Sequence, residues 1–133
     1  MPDDLSERIR CPELLRKVAS IETAISLIQD GMAVGVCSDL LPLCRTLEKE
    51  AKEGRHLQIQ LWSGVAILQA DRILGKLGII RRRIGQQTLL RGAINARQVE
   101  YLDTPLGFFY QSIRGEELGN LDLAFVEAVG ITP

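Results

Sequence analysis

The sequence predicts an α/β fold: a three-layer α/β/α sandwich with a mostly parallel sheet, as one domain spanning residues 1–133. Three observations carry this. Short apolar segments at 32–37, 57–62, 98–102 and 121–131 read as strands. Between them lie segments whose apolar residues recur every three or four positions, the spacing of a helix with one buried face. The links are short, so strand, helix and strand follow one another as βαβ units with right-handed crossovers and helices on both faces.

Residues 1–10 form a polar lead-in. Pro12 suits the first turn of a short helix over 12–18. Ser20 is placed to cap the next helix, in which Ile21, Ala24, Ile25 and Ile28 share a face. Asp30-Gly31 ends that helix, with the glycine free to take a left-handed conformation. The strand at 32–37 is apolar at nearly every position, as expected when both faces are covered. Gly35 inside it suggests close approach by a backbone or a ligand.

A helix over 42–53 follows, with Leu43, Leu47 and Ala51 inward and Gly54 as its stop. The strand at 57–62 alternates Leu57, Ile59 and Leu61 with Gln58, Gln60 and Trp62, so one of its faces is more polar. Ser63-Gly64 turns the chain into a helix over 66–77. Residues 79–84 fit either a short strand or an extended link. A helix is expected over 86–96, then the strand at 98–102. Thr104 is expected to cap a helix starting at Pro105, with Leu106, Phe109, Tyr110 and Ile113 on one face. The segment 121–131 is almost wholly apolar and is therefore expected to be a central strand.

Apolar residues make up 46% and charged residues 25%, a balance that suits a soluble globular domain. The formal net charge of -1 gives no reason to expect a nucleic acid or a membrane surface as partner. Cys11, Cys37 and Cys44 show no CxxC spacing, and with the single His56 they give no zinc site, so no metal is expected. A reduced, cytoplasmic setting fits best. The first ten residues are charged and lack an apolar core, so no signal peptide is expected. No apolar run approaches the ~20 residues that span a bilayer.

In a parallel sheet, ligands sit beyond the carboxyl ends of the strands. The candidate substrate-binding residues are therefore Gly35, Cys37 and Ser38 after the first strand, and Ser63 and Gly64 after the second. Cys37 reads either as a thiol nucleophile or, more plainly, as a small semi-buried hydrophobe. Glu127 lies in an apolar run, so it is expected to be buried and paired as a structural ion, with a place in the cleft as the alternative. Arg81-Arg82-Arg83 reads as a solvated strand end, with phosphate binding the sharper alternative. His56 lies at the amino end of a strand and is expected on the surface. No phosphate loop, dinucleotide glycine motif or nucleophile elbow occurs, and no catalytic residue set is found.

Several blocks resemble the acetyl-CoA hydrolase/transferase family, the CoA-transferases. Glu7-Arg8-Ile9-Arg10 and Lys17-Val18 are similar to its opening. The run from Ile28 to Val36 resembles its first strand and the approach to it. Leu90-Arg91-Gly92-Ala93-Ile94-Asn95-Ala96 resembles its "LRxAINxG" helix, and Leu121 to Val129 its "DxAxIEAV" strand. The blocks keep family order from end to end of the chain.

The resemblance implies an N-terminal domain in an α/β/α sandwich, with coenzyme A or acyl-CoA as substrate and no covalently bound cofactor. It implies acyl transfer through a glutamate, by a mixed anhydride and then a glutamyl-CoA thioester. That glutamate belongs to the family's second half, outside these residues, so the isolated chain is not expected to be active. It also implies that Glu127 is part of a structural pattern. After Val36 the family's Ser-Gly-Phe and glycine-bearing loop are replaced by the shorter Cys37-Ser38-Asp39-Leu40, and Ser63-Gly64-Val65 stands where Thr-Gly-Ala is usual.

Two functions are expected from this. One is a contribution to acyl-CoA or carboxylate binding without the catalytic glutamate. The other is a non-catalytic binding or assembly module that retains the fold with a degenerate site. Both predict a homo-oligomer or a second polypeptide carrying the missing half, since a chain that stops on its most apolar strand leaves a surface to cover.

Overall fold

The computed structural model describes residues 5–133. The chain runs α1 (Leu5–Arg8), α2 (Pro12–Leu15), α3 (Ile21–Ser26), β1 (Ala33–Val36), α4 (Leu41–Lys52), β2 (Ile59–Ser63), α5 (Leu68–Lys76), β3 (Ile80–Gly85), α6 (Arg91–Asn95), β4 (Glu100–Asp103), α7 (Leu106–Arg114) and β5 (Leu123–Phe125). The five strands form one sheet in the order β4-β3-β2-β1-β5, and every neighbouring pair is parallel. The α/β fold class read from the sequence is correct, and the ambiguous segment at 79–84 is a strand.

The crossovers decide which helix covers which face. From β1 to β4 the chain steps one strand at a time in one direction, so right-handed crossovers place α4, α5 and α6 on the same side. The step from β4 to β5 runs back across the whole sheet and puts α7 on the opposite side. The two cores match. On the first face Val34, Val36, Ile59, Leu61 and Ile80 pack with Ile25, Leu43, Leu47, Ala70 and Leu74. On the second, Ala33, Trp62 and Ile84 pack with Phe109 and Ile113 of α7. Strand alternation produces this split: Val34 and Leu61 are paired on one face, Gly35 and Trp62 on the other.

Local signals explain most boundaries. The Ser20 hydroxyl accepts the Thr23 N–H at 3.2 Å, the N-cap expected of it. Gly31 takes φ +83°, a left-handed turn, and its N–H donates to Gln58 O at the foot of β2.

Five expectations fail. The helix expected over 86–96 shrinks to α6, because Asp71 captures the preceding loop: its Oδ2 accepts the Thr88 hydroxyl at 2.6 Å and the Leu89 N–H at 3.2 Å. Thr104 does not cap α7, whose N-cap position is Pro105. The run 121–131 is not a central strand: β5 is three residues long and lies at the sheet edge. Its last pairing is Phe125 with Val36, where β1 itself ends, so no backbone remains to pair with beyond it. Val129 consequently stands 88% exposed. In α7, Phe109 and Ile113 face the core while Leu106 and Tyr110 are exposed. Finally, Arg83 is not a solvated strand end: it is 0% exposed and its Nε donates to Asp71 Oδ1 at 3.0 Å.

Candidate functional site

The strand order reverses between β1 and β5. At such a switch point the connections leave in opposite directions and open a crevice at the carboxyl ends, the usual ligand position in a parallel α/β sheet. Here β1 exits into Cys37-Ser38-Asp39-Leu40 and β5 into Val126-Glu127. The two exits touch. The Ser38 hydroxyl donates to Glu127 Oε2 at 2.7 Å, and the Glu127 N–H donates to Cys37 Sγ at 3.3 Å. Cys37 and Glu127 are both exposed.

The loop after β1 is short and fixed at both ends. Asp39 Oδ1 accepts the N–H groups of Gln69 and Ala70 at 2.8 and 3.0 Å, so a side chain from one loop caps the first turn of α5. Leu40 then takes φ +42°, a left-handed conformation that is costly for leucine, and α4 begins at once with Pro42 in its first turn. At the other end of β1, the Ala33 N–H donates to Asp122 Oδ2 at 2.8 Å, and the Asp122 N–H donates to Ala33 O at 3.0 Å. These bonds set the register that brings Glu127 to Ser38.

Two clefts flank β5. One, of about 160 Å³, lies on the α7 side between Gly35, Cys37, Trp62, Phe109, Ile113 and Ala124. The other, of about 240 Å³, lies between α3, the start of α4 and the exit of β5, with Glu127 on its wall. A larger hollow of about 400 Å³, lined by Arg55 and His56, opens at the amino ends of β2 and β3. That is the wrong end of a parallel sheet for a ligand, and His56 is exposed there as expected.

Of the five expected site residues, Gly35, Cys37 and Ser38 come together at the switch point. Ser63 and Gly64 do not join them through any hydrogen bond. The Ser63 hydroxyl is buried in its own turn, donating to Val65 O at 2.9 Å and accepting the Val65 N–H at 3.3 Å. Gly64 is packed under α7: a Cβ there would lie 3.0 Å from Leu106 Cδ1 and 3.2 Å from Phe109 Cδ1. Gly35 likewise admits a close neighbour, since a Cβ there would meet Leu121 Cδ1 at 3.2 Å.

Glu127 is the residue whose role the sequence misassigned. Its apolar context argued for burial, yet it is exposed and faces the cleft, because β5 has already left the sheet. The usable signal was positional: a carboxylate just past the end of a strand. Cys37 also departs from its plainer reading, being exposed rather than semi-buried. Cys44 shows the contrast: burial, then the nearby Asp39 charge, pushes its thiol up to about 12. Tyr101 lies near the buried Asp71–Arg83 pair and donates to Gly85 O at 3.0 Å; burial, then Asp103, raises its phenol above the ordinary value. Among the described residues no group of three or more His, Cys, Asp or Glu is placed to hold a metal ion. Among them, too, no helix is long and apolar enough to cross a membrane.

No family model matches the chain. Over 136 aligned residues, 95% of this chain, it is 31% identical to the succinyl-CoA:acetate CoA-transferase of Clostridium kluyveri. The chain spans about a quarter of that protein's length, 25%. The resemblance to CoA-transferases read from the sequence blocks is thus borne out across almost the whole chain. With its parallel sheet and a switch point between β1 and β5, the chain is a CoA-transferase-like α/β domain.

Proposed function

We propose that this chain acts as the N-terminal domain of an acetyl-CoA hydrolase/CoA-transferase-like protein. It contributes one wall of an acyl-CoA or carboxylate site, and the catalytic glutamate comes from outside these residues. The observation that carries the reading is the meeting of Cys37, Ser38 and Glu127 at the switch point of a chain related along its length to a CoA-transferase. Ser38 and the backbone around it offer hydrogen bonds to a ligand, and the neighbouring clefts offer apolar surface. Acyl-CoA is the substrate, no covalent cofactor is needed, and a second polypeptide or a second copy completes the site. The three unpaired cysteines suit a reducing cytoplasm.

Two measurements test this. Calorimetry with coenzyme A and acetyl-CoA should show saturable binding. Incubation of the chain alone with acetyl-CoA and acetate or succinate should show no thioester exchange, and robust turnover would overturn the reading.

A second reading, a non-catalytic assembly module, is favoured by one specific feature. Exposed apolar side chains stand on the exits of all five strands: Leu41, Val65, Leu68, Leu89, Leu106 and Val126. Apolar residues grouped at one end of a sheet mark a contact surface. This reading predicts self-association or partner binding with no affinity for coenzyme A.

A further inference from the structure

We infer that the cleft between α3, the start of α4 and the exit of β5 is a docking site for one lysine side chain of the polypeptide that completes this domain. The existence of that polypeptide rests on the function proposed above; the choice of lysine rests on the cleft.

The cleft measures about 240 Å³. A protein cavity of about 150 Å³ holds a molecule the size of benzene, so this one holds about nine or ten non-hydrogen atoms, the size of a lysine residue. Seven of its eight lining residues are apolar, among them Ile21, Leu43 and Phe125, and the eighth is Glu127. An anionic guest would lose its hydration on entry and meet a like charge. A wholly apolar guest would cover the carboxylate without giving it a partner. A cation on an aliphatic stem meets both demands: its methylenes lie on the apolar wall and its charge meets Glu127.

Glu127 is open to such a partner. It is exposed, its Oε2 accepts the Ser38 hydroxyl at 2.7 Å and its N–H donates to Cys37 Sγ at 3.3 Å. Among the described residues no lysine, arginine or histidine pairs with it. The two bonds already hold the residue at the cleft, so little ordering is left to be done on docking. Lysine suits the site better than arginine, because Oε2 is engaged by Ser38 and a guanidinium fork is matched to two free oxygens. The apolar surface also continues past the cleft. Val126 on its wall is 70% exposed, and Leu41, between the lining residues Leu40 and Pro42, is 37% exposed. A free amine leaves these side chains wet, whereas a polypeptide carrying the lysine covers them.

The test titrates the whole ¹⁵N-labelled chain and follows its amide shifts. The probes are Nα-acetyl-lysine methylamide, its norleucine counterpart (the stem without the charge), n-butylammonium and coenzyme A. Saturable shifts at Ala24, Leu43 and Val126 are expected with the lysine probe, about tenfold tighter than with norleucine, the size of one charge-assisted hydrogen bond. Glu127→Gln keeps a partner for Ser38 and should remove that tenfold preference. Ala24→Leu fills the cleft and should abolish the shifts at Leu43 and Val126 while the rest of the spectrum keeps its folded dispersion. Absence of saturation, equal binding of the lysine and norleucine probes, or lysine binding that Ala24→Leu leaves unchanged overturns the proposal. So does coenzyme A competing with the lysine probe, since the cleft would then belong to the acyl-CoA wall. Binding of n-butylammonium as tight as that of the lysine probe makes the occupant a small amine, and self-association abolished by Glu127→Gln makes it a second copy; either overturns the partner named here. Coenzyme A binding without lysine binding overturns this inference and leaves the proposed function standing. Lysine binding without coenzyme A binding does the reverse.

Discussion

Two carboxylates near the carboxyl end of the sheet make opposite use of the same chemistry. Asp71, on α5, is 0% exposed and holds Arg83, Thr88 and the Leu89 N–H at once. Glu127, past β5, is exposed and accepts one hydroxyl through Oε2. A carboxylate surrounded by partners fixes the backbone around it and has nothing left for a ligand. A carboxylate with one partner and open water can meet a ligand at little cost to the fold. The β3 exit is therefore architecture, and the β1–β5 exit is where binding is affordable.

This contrast can be broken most forcefully at Asp71. Asp71→Ala strands the Arg83 guanidinium inside the protein and should cost about 3–5 kcal/mol, read as a shift of the urea midpoint. Replacing both partners with apolar residues, Asp71→Leu with Arg83→Met, should recover most of that loss, since a buried pair contributes little over well-packed apolar groups. Failure to recover would mean that Thr88 and the 86–90 loop depend on the carboxylate more than on charge balance.

The cap built by Asp39 comes next. Asp39→Ala frees the N–H groups of Gln69 and Ala70 and should cost about 1 kcal/mol in thermal or urea unfolding.

Cys44 gives a pH prediction whose size grows with alkalinity. Its folded thiol titrates near 12 against an ordinary 9.0, because burial opposes the thiolate. The folded state therefore holds the proton longer than the unfolded one. Stability from this group is complete below pH 9 and falls as pH rises toward 12, by up to about 1.4 kcal/mol per unit. Cys44→Ala should flatten that part of the stability profile relative to wild type.

The smallest effect belongs to the open site. Glu127→Gln and Ser38→Ala should each change stability by no more than about 0.5 kcal/mol, as surface substitutions generally do. A loss comparable to that of Asp71→Ala would erase the distinction between the two carboxylates.

Much of this architecture could be read from the residues. Helical spacing placed Ile25, Leu43 and Leu47 in the core, and strand patterns placed Val34, Ile59 and Leu61 opposite them. What could not be read was set by distant partners. The 86–96 segment has helical spacing, but Asp71, fifteen or more positions earlier in the chain, takes its first residues out of the helix. The 121–131 run is apolar enough for a central strand, but strand length depends on the neighbour, and β1 stops at Val36. Glu127 followed from the same error: a strand carried six residues past its true end buried a side chain that is in fact outside. Arg83 looked like part of a solvated charge run because Asp71 shares its register only in three dimensions.

The pairing of β1 with β5 also fixes the order in which this domain can be completed. Asp122 and Ala33 are 89 positions apart, as are Ser38 and Glu127. Closing a loop of that length costs about 4 kcal/mol of chain entropy, about 1 kcal/mol more than joining β1 to β2, whose partners Ala33 and Gln60 are 27 positions apart. On a ribosome, β1 through β4 emerge and can assemble while the outer edge of β1 is still bare. The crevice at the switch point forms only when β5 returns to that edge. Competence to bind a ligand there thus waits for β5, and ligand in the crevice would hold together two segments 89 positions apart.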